Sequence, residues 1–99
     1  MAILEISVVP IGTKETSLSS YVADCIHILK KEKLTYELTA MGTNIEGNLN
    51  KLIKLALKMH HAPFKKGSTR VLTTIKIDDR RDKKGTLSGK KKAVQDKLR

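Results

Sequence analysis

Along residues 2–9 the apolar positions alternate, with Leu4, Ile6 and Val8 on one side and Glu5 and Ser7 on the other; this predicts a strand that Pro10 and Gly12 end. From Ser17 the spacing changes. Leu18, Tyr21, Val22, Cys25, Ile26 and Leu29 recur at three and four residues, the signature of one helix face, with Thr16 or Ser17 as cap and Lys30, Lys31 and Lys33 at the negative end of the dipole. Period two returns over Thr35 to Met41, placing Tyr36, Leu38 and Ala40 together, and Met41-Gly42-Thr43 permits a tight reversal into a short strand through Glu46. Asn48 then caps a second helix carrying Leu49, Leu52, Ile53, Ala56 and His60 on one face, which Gly67 ends and Pro63 is expected to kink. Residues 70–78 alternate again, with Val71, Thr73, Ile75 and Ile77 inward and Leu72, Thr74 and Lys76 outward. After a charged loop, Leu87, Val94 and Leu98 form a thin apolar stripe on a final helix that needs a partner surface for stability.

The order strand, helix, strand, strand, helix, strand specifies a ferredoxin-like βαββαβ α/β (α+β) sandwich: a four-stranded antiparallel sheet, both main helices on one face, and an extra C-terminal helix. Ninety-nine residues suit a single domain over 1–99. A domain this small buries only about 60–70% of its unfolded surface, which favours self-association.

No apolar run approaches the roughly 20 residues of a membrane span, and Glu5 interrupts the start where a secretory signal needs an apolar stretch, so a cytoplasmic protein is expected. A lone Cys25 on the apolar stripe of the first helix supplies neither a disulfide nor a multi-cysteine metal site, and is expected to be an inert core thiol. His60 and His61 diverge by about 100° on a helix, a poor geometry for one metal, and His27 stands alone. No metal, no cofactor and no catalytic motif is expected.

The net charge of +10 is uneven: residues 80–99 hold nine basic and two acidic side chains, against eleven and eight in residues 1–79. That basic end suits a solvated tail, a small polyanion or nucleic-acid phosphates. Sequence-selective RNA binding of the stacking kind is disfavoured, since Tyr21, Tyr36 and Phe64 are the only aromatics and both tyrosines fall on core faces.

The sheet face away from the helices is expected to stay uncovered and to show Glu5, Ser7, Glu37, Thr39, Met41, Asn44, Glu46, Leu72, Thr74 and Lys76. This mixture suits a small polar ligand, a subunit contact or plain solvent. On this reading Glu37 or Glu46 and the hydroxyls of Thr39 and Thr43 orient an amino-heterocycle against Met41. A second candidate is an anion site in which Ser17, Ser19 and Ser20, at the start of the first helix, are joined by Arg80 and Arg81. Asp78 and Asp79, adjacent on a strand, point to opposite sides and are expected to pair with Arg80 and Arg81 rather than form a catalytic dyad.

Four segments together resemble a known family: Val9-Pro10-Ile11-Gly12 followed by Thr16-Ser17-Leu18-Ser19-Ser20-Tyr21-Val22; Tyr36-Glu37-Leu38; Met41-Gly42-Thr43-Asn44-Ile45-Glu46-Gly47; and Thr73 through Lys83. In order and spacing they are similar to the small thiamine-binding-protein family. The resemblance implies a cytoplasmic, non-catalytic homotetramer built as a dimer of dimers, holding thiamine or its hydroxymethylpyrimidine part near subunit contacts. By matched position it implies a ligand neighbourhood of Ser17 and Ser19, of Met41, Gly42, Thr43, Asn44 and Glu46, and of Asp78, Asp79, Arg80 and Arg81. Pro63 and Ser88-Gly89 depart from the helix-formers the pattern would place there.

Overall fold

A computed structural model describes residues 1–12, 19–82 and 86–98, apart from the side chain of Ser19. Its elements are β1 (Ala2–Pro10), α1 (Ser19–Glu32), β2 (Thr35–Leu38), β3 (Thr43–Gly47), α2 (Leu49–Lys65), β4 (Val71–Asp79) and α3 (Leu87–Leu98). The strands form one antiparallel sheet in the order β2-β3-β1-β4, the ferredoxin-like arrangement that the periodicities predict.

Each boundary has a local cause. The side chain of Asn48 accepts from the Asn50 and Lys51 amides at 3.0 and 3.3 Å, satisfying two free donors at the start of α2. Pro63 stands in the last turn of α2, where it removes the hydrogen bond an amide would donate to the Met59 carbonyl, and the helix ends two residues later. Gly67, at φ +98°, then completes the exit, its amide donating to the Phe64 carbonyl at 3.1 Å. Lys33, at φ 56°, turns the chain out of α1.

Alternation in β1 and β3 sends Leu4, Ile6 and Ile45 against Cys25 and Leu29 of α1 and Leu52, Leu55, Ala56 and Met59 of α2, all buried. The inward set of β4 has the expected register, Ile6 opposite Ile75 and Leu4 opposite Ile77. Yet Ile75 and Ile77 remain 41% and 47% exposed, because the helix layer stops short of the outer half of this edge strand.

Two expectations are corrected. The β2–β3 reversal is Thr39–Gly42 rather than Met41–Thr43, so Leu38 is the last residue of β2 and Ala40 lies in the turn. The sheet's second face is also not free of helix: the first turns of α3 lie on it, with the Leu87 amide donating to Glu46 Oε2 at 2.9 Å, Lys90 paired with Asp78 and Lys91 with Glu37.

Candidate functional site

The Thr39–Gly42 turn is built by one side chain. Thr39 Oγ1 donates to the Gly42 carbonyl at 2.9 Å and accepts from the amides of Met41 and Gly42 at 3.3 and 3.1 Å, while the Thr39 amide also reaches the Gly42 carbonyl at 2.8 Å. The hydroxyl is thereby committed to the turn. Gly42 presses the turn against β1, where a Cβ would stand 2.9 Å from the Ile6 carbonyl oxygen.

After this turn β3 begins only at Thr43. β1 pairs with β3 only as far as Ile6 opposite Thr43, whereas its pairing with β4 runs on to Pro10 opposite Val71. A notch results at Ser7–Val9, and a cavity of about 350 Å³ opens there. Its walls are Ile6 and Val8 of β1, Tyr21, Val22 and Cys25 of α1, Met59 of α2, and the chain from Leu38 to Thr43. A volume near the lower end of ligand-pocket sizes, with mostly apolar walls, suits one or two small rings.

Polar groups in these walls are few. Thr43 is only 5% exposed as a residue and lines the cavity, and among the described residues its hydroxyl makes no side-chain hydrogen bond, although it is not among the polar atoms fully shut off from solvent. The β3-side backbone edge of Ser7–Val9 adds amide and carbonyl groups without a strand partner among the described residues. Burial, and secondarily Asp24, push the Cys25 thiol up to about 11, so it stands in the wall as a neutral group. Lys66 Nζ lies 5.5 Å from the ring centroid of Tyr21, one of the wall residues, and 2.6 Å from Asp24.

The residues nominated from sequence separate into four places. Thr39, Met41, Gly42 and Thr43 meet at the cavity. Glu37, Asn44 and Glu46 lie on the opposite sheet face, where Glu37 and Glu46 already accept donors from α3, so the carboxylates do not join the threonines around one ligand. Ser20 is exposed in the first turn of α1; Ser17 lies outside the described residues.

Arg80 and Arg81 are at the other end of the molecule. Asp79 pairs with Ala2 and Val71 with Pro10, so the arginines follow the end of the sheet about 26 Å from where β1 leads toward α1, at about 3.3 Å per residue. The composite anion site of Ser20 with Arg80 and Arg81 is therefore not formed. Both arginines border an open depression with Met1, Ala2 and the start of α2, and each is held by an aspartate: Arg80 by Asp82 at 2.7 Å and Arg81 by Asp79 at 3.0 Å. Asp78 pairs with Lys90 instead of Arg80. Missed from sequence were Val22, Cys25 and Met59 as cavity walls; Val22 and Cys25 read as ordinary positions on the apolar stripe of the first helix, and Met59 is not among the residues predicted for the face of the second.

Fold and cavity together define a ferredoxin-like α+β protein with a small, largely apolar recess at one end of its sheet. Residues 4–95 match the family described as thiamine-binding protein, and the chain belongs to that family. It is 48% identical over 102 residues to the UPF0045 protein YqgV of Bacillus subtilis, covering 99% of this chain and 98% of that one. A hypothetical protein from Methanocaldococcus jannaschii has the same architecture at a TM-score of 0.84 and 37% identity, with 95% of each chain covered. A Thermotoga maritima structure matches at a TM-score of 0.78 over 94% of this chain and 97% of that one; at 17% identity that likeness speaks to the fold alone.

Proposed function

We propose that this protein is a cytoplasmic, non-catalytic binding protein whose ligand is thiamine or its hydroxymethylpyrimidine portion, held in the recess beside the β2–β3 turn. The observation that carries this reading is Thr43, a largely buried residue whose hydroxyl has no side-chain partner among the described residues, set in the mostly apolar walls of the recess in a chain of the thiamine-binding protein family. An aminopyrimidine ring is flat, mostly apolar on its faces and polar at its edge. Ile6, Val8, Val22 and Met59 offer contact to the faces, and Thr43 with the Ser7–Val9 backbone offers partners to the edge.

Self-association into a dimer of dimers belongs to the same proposal. Its support is the apolar strip formed by Ile75 and Ile77 on the uncovered inner side of β4, next to the sheet's free edge, with Leu57 and Phe64 exposed on α2. Nucleic-acid binding is less well supported, since Lys90 and Lys91 already serve carboxylates of the chain itself.

A thermal-shift series with thiamine, hydroxymethylpyrimidine and their phosphates tests the reading. A ligand present at 100 times its dissociation constant stabilises the native state by about 2.7 kcal/mol, enough to raise the melting temperature measurably. No shift with any of the four would contradict it.

A further inference from the structure

The outer face of the sheet carries three carboxylates that no strand neighbour neutralises. Across one row the Cα partners run Thr35, Glu46, Ile3, Asp78, and across the next Glu37, Asn44, Glu5, Lys76. Lys76 faces Glu5, at 3.9 Å. Glu46, Asp78 and Glu37 are met instead by α3: the Leu87 amide on Glu46, Lys90 on Asp78 and Lys91 on Glu37. Lys90 and Lys91 are adjacent on a helix, so their side chains diverge by about 100°, and one reaches the edge strand β4 while the other reaches the opposite edge strand β2. The helix thus straddles the sheet.

Little else holds it there. No residue of α3 is fully buried; Leu87 at its start is half-buried, while Val94 and Leu98, on the same side of the helix as Leu87, Lys90 and Lys91, are 59% and 80% exposed. Thr86 organises the first turn, its Oγ1 accepting from the Gly89 amide at 2.9 Å and its carbonyl from the Lys90 amide at 3.1 Å. A helix of twelve residues with a glycine in its first turn is marginal by itself. Its docking therefore depends on charge.

We propose that α3 is an electrostatic strap: the chain's own basic segment occupies the acidic outer face formed by Glu37, Glu46 and Asp78, and releases it when those ion pairs are screened or replaced. Released, the face presents three carboxylates to a cationic partner, for which α3 is the built-in competitor. This mechanism is separate from the recess on the other side of the sheet and does not rest on what binds there.

Hydrogen–deuterium exchange of the full chain tests it, at about 0.01 M and about 1 M sodium chloride, between which the screening length falls from about 30 Å to about 3 Å. The α3 amides from Lys91 to Leu98 are expected to be protected at low salt and to exchange at least about tenfold faster at high salt, while the amides of α1 and α2 keep their rates. A Lys90→Ala/Lys91→Ala variant should lose that protection already at low salt. Because alanine favours helix more than lysine does, the loss cannot come from helix propensity. Equal protection of α3 at both salt concentrations, no protection at either, or protection retained by the double variant would each overturn the strap.

Discussion

Gly42 and Ile6 are in backbone contact so close that any side chain on the glycine would collide: a Cβ there would lie 2.9 Å from the Ile6 carbonyl oxygen and 3.7 Å from the Ser7 Cβ. The contact fixes the β2–β3 turn against β1 and so shapes the mouth of the recess. Gly42→Ala should destabilise the fold by about 1–3 kcal/mol, the usual range for forcing extra volume into a packed place, measured as a lower urea midpoint with an unchanged slope. Gly67→Ala, where a Cβ meets no atom within 4 Å but φ is +98°, is a contrasting control that tests backbone strain without a steric clash.

Asn48 caps α2, the helix that contributes most buried side chains to the core. Asn48→Ala should cost about 1 kcal/mol and Asn48→Asp should cost less, because a carboxylate also accepts from the first-turn amides and suits the positive end of the dipole. Chemical denaturation of the two variants checks the order.

The Cys25 thiol is pushed from an ordinary 9.0 up to about 11, by burial first and by Asp24 second. The native state therefore holds this proton more tightly than the unfolded chain does. Stability from this group is fully present below pH 9 and is lost as pH rises through about 11. The stability difference between the protein and Cys25→Ala should stay constant from pH 7 to about 9 and then shrink. At neutral pH the native thiol should react with iodoacetamide far more slowly than a free cysteine, and a ligand in the recess should slow it further.

Ile75 and Ile77 should count for assembly rather than for the monomer's core, since each is nearly half exposed. Ile75→Lys/Ile77→Lys should reduce the mass measured by light scattering while leaving the far-ultraviolet circular dichroism unchanged. An unchanged mass would place the subunit contact elsewhere.

Much of the fold can be read from local pattern. The alternation of β1 and β4, the three-and-four spacing of α1 and α2, the Asn48 cap and the Gly67 exit all reflect interactions within a few residues of one another. The site is less legible because it depends on where elements stop. Thr39 closes the β2–β3 turn two residues before the glycine-centred reversal that Met41-Gly42-Thr43 suggests, which shortens β2, and the notch at Ser7–Val9 arises because β1 runs on to Pro10 beyond the start of β3 at Thr43. Contacts such as Lys91 with Glu37, 54 residues apart, have no local signal at all. The separation of Ser20 from Arg80 and Arg81, by contrast, follows from the topology: an antiparallel β4 beside β1 must carry its end to the start of β1, away from α1.

Thr43 tests the binding site most directly. Thr43→Val keeps the shape but removes a hydroxyl that has no side-chain partner among the described residues, so the free protein should be about as stable as before. Calorimetric titration with thiamine or hydroxymethylpyrimidine, whichever binds the unmodified protein, should then show affinity weaker by about tenfold, the loss of about 1.4 kcal/mol. Unchanged affinity in a folded Thr43→Val protein would contradict the placement of the ligand beside the β2–β3 turn.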